Sequence, residues 1–276
     1  MKSKLIFTAT LLCVTLGVPF SLFGQSSDFV MNGTVLVKYN GNAANVTIPN
    51  GVIAIGREAF KNNNRLTNIT IPSSVTAIGA QAFANCTNLT NITIPSSVTA
   101  IGDSSFYECK SLTSITIPVG VTYIGEGAFQ DCTSLTSVTI PSSVTFIGEG
   151  AFFGCISLTN IIIPSSITSI EVAAFADCGR LNSVTIPSSV SSIGDFAFAD
   201  CISLTRINIP SSVTFIGEGA FHGCSSLTSI TIPSSVTSIG KGVFFNCSRL
   251  TSITVSRKTR IGEGAFPSTA RITYSD

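Results

Sequence analysis

Proline stands at residues 49, 72, 95, 118, 141, 164, 187, 210 and 233, each 23 residues after the last. The other strong positions keep the same step. Leucine recurs from Leu66 to Leu250, phenylalanine from Phe60 to Phe244 and cysteine from Cys86 to Cys247. Glycine follows isoleucine from Gly56 to Gly240, with Glu171 as the interior exception. A fixed period of this length is the mark of stacked supersecondary units, each too small to bury its own apolar face. Such a chain builds a long surface rather than an enclosed pocket, so the period constrains the fold more tightly than the function.

One unit, Leu66 to Asn88, shows how the stack is made. Ile69-Thr70-Ile71 alternates, so both isoleucines point to one side of a short strand, where β-branched residues are favoured. Pro72 ends the strand because it has no N–H for the ladder. Pro-Ser-Ser then makes a turn, and Val75–Ile78 gives a second short strand on another side of the coil. Gly79 allows a tight corner, and Ala82-Phe83-x-x-Cys86 is long enough for one turn of helix or 3₁₀. The expected fold is an α/β repeat solenoid, with a parallel β-sheet on its concave face and short strands and 3₁₀ or helical turns on its convex side. Stacked neighbours bury the Leu, Ile, Val, Phe and Cys positions, each large side chain contributing roughly 1.5–3 kcal/mol. With strands about 4.8 Å apart the rod is roughly 45–50 Å long.

The segment L-x-x-I-x-I resembles the strand of leucine-rich repeats. The whole unit, L-T-S-I-T-I-P-S-S-V-T-x-I-G-x-x-A-F-x-x-C, resembles the BspA-like (treponemal-type) leucine-rich repeat of bacterial surface proteins, over about residues 28–276. The Asn or Cys usual in leucine-rich repeats three residues after the strand is replaced by serines such as Ser74, Ser97 and Ser143, so the coil is expected but the usual asparagine ladder is not. The resemblance implies a binding module for host matrix proteins, host cells or other bacteria, working by surface contact without chemistry.

Lys2 and Lys4 precede an apolar run from Leu5 to about Phe23, the layout of a secretory signal at 1–24 cleaved near Gly24. Leu12 stands where a lipoprotein signal needs a small residue before Cys13, so Cys13 reads as an ordinary apolar-core cysteine. Residues 25–48 are expected to cap the stack, with type I′ turns at Asn32-Gly33 and Asn40-Gly41. The 23-residue repeats occupy 49–255. A degenerate cap fills 256–276, where Ser256 replaces proline. These boundaries imply a secreted, cell-surface or periplasm-facing protein with no stable transmembrane segment after cleavage. Charged residues are only 11% of the chain and the formal charge is +1, which gives no basis for binding nucleic acid by a basic stripe.

The repeat cysteines are 23 residues apart, which is not the close pairing of a metal site. Parallel Cβ vectors in a stack also suit free, buried thiols better than disulfides. The lone histidine, His222, occupies a variable position with no nucleophile patterned to it. No catalytic residue, cofactor or metal is therefore assigned.

Partner binding is expected on the outward positions of the Ile-x-Ile strands, a neutral rank of hydroxyls and amides. The candidates there are Thr139, Asn160, Ile162, Thr185, Arg206, Asn208 and Thr231, of which Ile162, Arg206 and Asn208 interrupt the pattern. Tyr123, Phe146 and Phe215, before the Ile-Gly corner, form a second candidate group as partly exposed aromatics. The expected partner is a protein, including a host extracellular-matrix or cell-surface protein, or a glycan. The alternative is a structural, self-associating envelope protein without a dedicated ligand. A threonine rank of the ice-binding kind would have to be flat and unbroken, which Ile162 and Asn208 prevent.

Overall fold

The computed structural model describes residues 28–275, which form a β-solenoid of about ten turns. The coils contribute strands to two rows, one strand to each in every full coil but the one around Arg206. The long-strand row holds three-residue strands such as Asn68–Thr70 and Asn91–Thr93, and the short-strand row holds two-residue strands such as Ala77–Ile78 and Ala100–Ile101. Neighbours are parallel and pair one coil apart, Ile69 with Ile92 and Ile78 with Ile101. The middle residue of each long strand points inward and its flanks outward, as the alternation requires.

The interior is a set of single-residue columns. Phe60, Phe83, Phe106 and their successors to Phe244 are buried, with ring centroids 5.1 Å to 5.6 Å apart. Leucines, the Val-x-x-Ile isoleucines and cysteines fill parallel columns. The cysteines are free thiols, and each points at the carbonyl of the phenylalanine in the coil before it, as with Cys86 to Phe60 at 3.1 Å and Cys178 to Phe152 at 3.3 Å. The second serine of Pro-Ser-Ser ties its coil to the one before: Ser74 Oγ donates to the Val52 carbonyl at 2.7 Å and Ser143 Oγ to that of Val121 at 2.8 Å.

The Ala-Phe-x-x-Cys segment forms no helix, contrary to the sequence expectation. Its N–H groups alternate instead. Ala82, Ala84 and Cys86 close turns onto their own chain, while Gln81, Phe83 and Asn85 donate to the next coil. Gln81 and Asn85 take left-handed backbone, φ 56° and 59°, to turn those donors outward. A neighbouring coil one strand spacing away supplies acceptors that an isolated helix would have to find within itself.

The glycine after each isoleucine also differs in its reason. Gly79, Gly102 and Gly148 do not have positive φ. A Cβ on Gly102 would instead lie 2.7 Å from the backbone N of Ala80, and one on Gly148 would lie 2.5 Å from that of Glu126. Close approach between coils, not the corner, selects glycine. Glu171 shows the consequence. The short-strand sheet stops at Phe146–Ile147 and restarts at Ser169–Ile170, and Glu171 does not donate to Ile147 as Gly148 donates to Ile124. Replacing Glu171 by glycine is therefore expected to close the ladder and add about 1 kcal/mol, two backbone hydrogen bonds less the entropy of a glycine. Gly102→Ala is expected to open a ladder and cost about 1–3 kcal/mol. Urea midpoints of the two variants should move in opposite directions; a shift in the same direction would refute the close-approach account.

At the N-terminus Phe29–Asn32 and Val35–Tyr39 make an antiparallel hairpin around Gly33. Positive φ falls on Gly33 alone of the two loop residues, the pattern of a type II′ rather than a type I′ turn. Asn40-Gly41 closes no second hairpin: Val35–Tyr39 pairs on its other edge with Ala54–Ile55, and Tyr39 starts the aromatic column 5.2 Å from Phe60. Asn45–Thr47 then pairs with Asn68–Thr70 as a first long strand. The expected leader at 1–24 lies outside the described residues. At the C-terminus, serine in place of proline leaves an N–H at 256, and the strand Ser252–Ser256 runs on to pair with Arg271–Ser275.

Candidate functional site

The expected site residues fall on two different rows. Thr139, Asn160, Ile162, Thr185 and Thr231 lie on long strands, all exposed. Ile162 pairs in register with Thr185, and Asn160 with Ser183. Arg206 and Asn208 occupy the equivalent place in their coil and are exposed, but the segment around them makes no ladder, and the long-strand row is divided there. Tyr123, Phe146 and Phe215 belong to the short-strand row. The first group therefore shares a face, and the aromatics form a separate one.

Hydrogen bonding separates two kinds of threonine on the long-strand side. Those after the buried leucine are used by the stack: Thr67 Oγ1 donates to the Ala44 carbonyl at 2.9 Å and Thr136 Oγ1 to that of Thr113 at 3.0 Å. Thr139, Thr185 and Thr231, at the outward position between the isoleucines, have no side-chain partner among the described residues and keep both donor and acceptor capacity. In their midst Ile162 is 69% exposed. A β-branched side chain suits a strand, and here it presents an apolar contact point among hydroxyls.

On the short-strand row Tyr123 and Phe146 stack directly, centroids 5.3 Å apart and planes 8° apart. Tyr123 is 37% exposed, and its hydroxyl meets Asp103 Oδ1 at 3.2 Å. Partial burial and the Asp103 carboxylate push its phenol up to about 12. Phe215 is separated from Phe146 by the serine strands at 169 and 192 and stands alone.

A further recess lies on the turn side and was not anticipated. Gly219, Gly242 and Gly264 make its floor, with Phe196, His222 and Phe245 among its walls, enclosing about 330 Å³. His222 stacks on Phe245 at 5.6 Å and lies 3.8 Å from Asp200. Phe196 holds a left-handed backbone, φ 55°, with its ring over Gly219. The signal in the sequence was three successive glycines at the position where other coils carry Glu58, Gln81 or Ser104. The recess is shallow and apolar, with no set of side chains arranged for chemistry. No group of three or more His, Cys, Asp or Glu residues able to hold a metal occurs among the described residues.

Residues 37–159 and 145–273 match the family model described as BspA type leucine-rich repeat region. No curated protein matches the sequence. Among solved structures, a leucine-rich repeat protein from Bacteroides ovatus is 26% identical, with 90% of this chain and 91% of that one covered and a TM-score of 0.57. The T. pallidum leucine-rich repeat protein is 32% identical over 62% of this chain and 82% of that one, TM-score 0.60. The pneumococcal vaccine antigen PcpA shares the fold at 20% identity, with 84% and 69% of the two chains covered and a TM-score of 0.54. No helix of the described residues is long and apolar enough to cross a membrane.

Proposed function

Since the chain belongs to the BspA-type leucine-rich repeat family, we propose that it is an exported surface module that attaches its cell to host matrix, host cells or neighbouring bacteria. Export by a leader at 1–24 is part of this reading. Contact is made by the outward positions of the long strands, without chemistry. The observation that carries it is Ile162, a 69% exposed isoleucine set among threonine hydroxyls that the stack leaves unpaired. An apolar anchor ringed by polar groups is the arrangement of an interface hot spot, where one desolvated side chain supplies much of the binding energy.

The test is a binding screen of the purified protein against immobilised matrix proteins, host cells and glycans, followed by Ile162→Thr on any protein partner found. Threonine restores what most coils carry, so the melting temperature should not move. Affinity should fall about tenfold, equivalent to about 1.4 kcal/mol. Unchanged affinity would remove this patch from the contact surface.

A further inference from the structure

The near-neutral formal charge conceals a segregation that the coil register makes visible. Of fourteen acidic residues, Asp28 sits in the terminal hairpin and Asp276 ends the chain. Each of the other twelve lies between the start of a short strand and the cysteine, or its counterpart, that closes the turn segment. The remainder of every coil, from that cysteine through the long strand to the threonine before the next short strand, carries no carboxylate.

Arginines occupy this carboxylate-free side, mainly in the C-terminal coils. Arg180 and Arg249 share the position before the buried leucine, and Arg206 and Arg271 share the first position of the long strand. Each pair is three coils apart, roughly 14 Å at the strand spacing. All four are exposed, and none makes an ion pair within the described residues. From Ser183 to Thr254 every outward long-strand position is Ser, Thr, Asn or Arg. The strand face itself therefore offers polar and cationic contacts, while the exposed Ile202 and Tyr274 lie beyond its ends, on the preceding turn and in the last strand past Arg271. Guanidinium groups take carboxylate or sulfate in paired hydrogen bonds, and the hydroxyls and amides between them match sugar hydroxyls.

We propose that the carboxylate-free side of the C-terminal coils, around Arg180, Arg206, Arg249 and Arg271, binds a linear acidic polysaccharide. This rests on the long-strand side being the working face, but not on Ile162. The turn side, with its carboxylates, repels the same polymer and so fixes which face it meets.

Dextran sulfate and hyaluronate serve as anionic probes of the whole protein, with uncharged dextran as the control. The decisive variant replaces all four arginines by serine, the residue that adjacent coils already carry at Ser203, Ser226, Ser229 and Ser252. The wild type should bind both anionic chains and not dextran, and added salt should weaken that binding. The fourfold variant should lose roughly thirtyfold in affinity. A turn-side control, Arg57→Ser with Lys241→Ser, should stay within about twofold. Equal binding of dextran, an unaffected fourfold variant, or an equal loss in the control would overturn the proposal. So would light scattering showing that the anionic chains do not bind and that the arginine side instead meets the acidic turn side of a second copy. Ile162→Thr should leave glycan binding intact, so failure of the protein-partner reading and failure of this one give different results.

Discussion

Raising the pH is expected to unfold this solenoid abruptly, between about pH 9 and 10. Eight cysteines are buried in one column as free thiols. Burial pushes the Cys86, Cys178 and Cys247 thiols up to about 12, and Cys109, Cys155, Cys201 and Cys224 well above their ordinary value. The carbonyl facing each sulfur accepts from the thiol and has nothing to offer a thiolate. In the unfolded chain the same groups titrate near about 8.5. Below that pH both states keep their protons and the full stability is present. Above it the unfolded chain releases protons that the folded chain holds, so stability falls as pH rises toward the folded values. Each thiol contributes about 1.4 kcal/mol per pH unit, and the column together on the order of 10 kcal/mol per unit. That rivals the whole stability of a typical domain. Circular dichroism against pH should show one steep transition, with several protons released per chain on unfolding. At neutral pH a thiol reagent should react only after urea is added. Intact ellipticity at pH 11, or fast thiol reaction in the native state, would defeat the prediction.

The fold was legible because a stack repeats its requirements. Ile-x-Ile and Pro recur for reasons that hold within one coil, and the Phe and Cys columns follow from stacking identical coils, so a single unit sufficed to read the strands and the buried positions. What escaped were relations between coils. The role of Gly102 depends on the Ala80 backbone 2.7 Å away, and the left-handed turns at Gln81 and Asn85 depend on acceptors in the next coil. Neither is visible in one unit's sequence, where glycine suggests a corner and Ala-Phe-x-x-Cys suggests a helical turn. Pro-Ser-Ser is the turn it reads as, closed by Val75 N–H onto the Pro72 carbonyl, but the bond from Ser74 Oγ to the coil before is not visible in one unit. The candidate site divides along the same line. Outward positions such as Thr139, Ile162 and Thr185 follow from strand alternation alone. That Tyr123 and Phe146 stand on a separate row, and that Phe196, His222 and Phe245 gather round a glycine floor, depends on which positions the coil brings together.

Phe129→Ala is the second large effect. Phe129 is fully buried between Phe106 and Phe152, its ring 5.2 Å from one and 5.3 Å from the other. Truncation removes a large apolar side chain from a close-packed column and is expected to cost about 3–5 kcal/mol. The neighbouring rings cannot fill the gap, because each is held by its own coil's ladder. Phe129→Leu keeps most of the volume and loses chiefly the ring stacking, for about 0.5–1.5 kcal/mol. Phe266→Ala, at the end of the column, 6.1 Å from Phe244 and tilted, should cost less than Phe129→Ala, because it severs one contact instead of two. Urea denaturation would rank the three. Hydrogen exchange should show the loss at Phe129 concentrated in the adjoining coils, since stability in a stack passes only between neighbours. Equal costs at positions 129 and 266, or uniform loss of protection along the rod, would mean that the solenoid behaves as one cooperative core. In the nearest-neighbour case the consequence reaches the surface. The spacing of Ile162 from Arg206, and of Arg206 from Arg271, is held by the columns beneath them, so a break under those coils would uncouple contact points that no substitution on the face had touched.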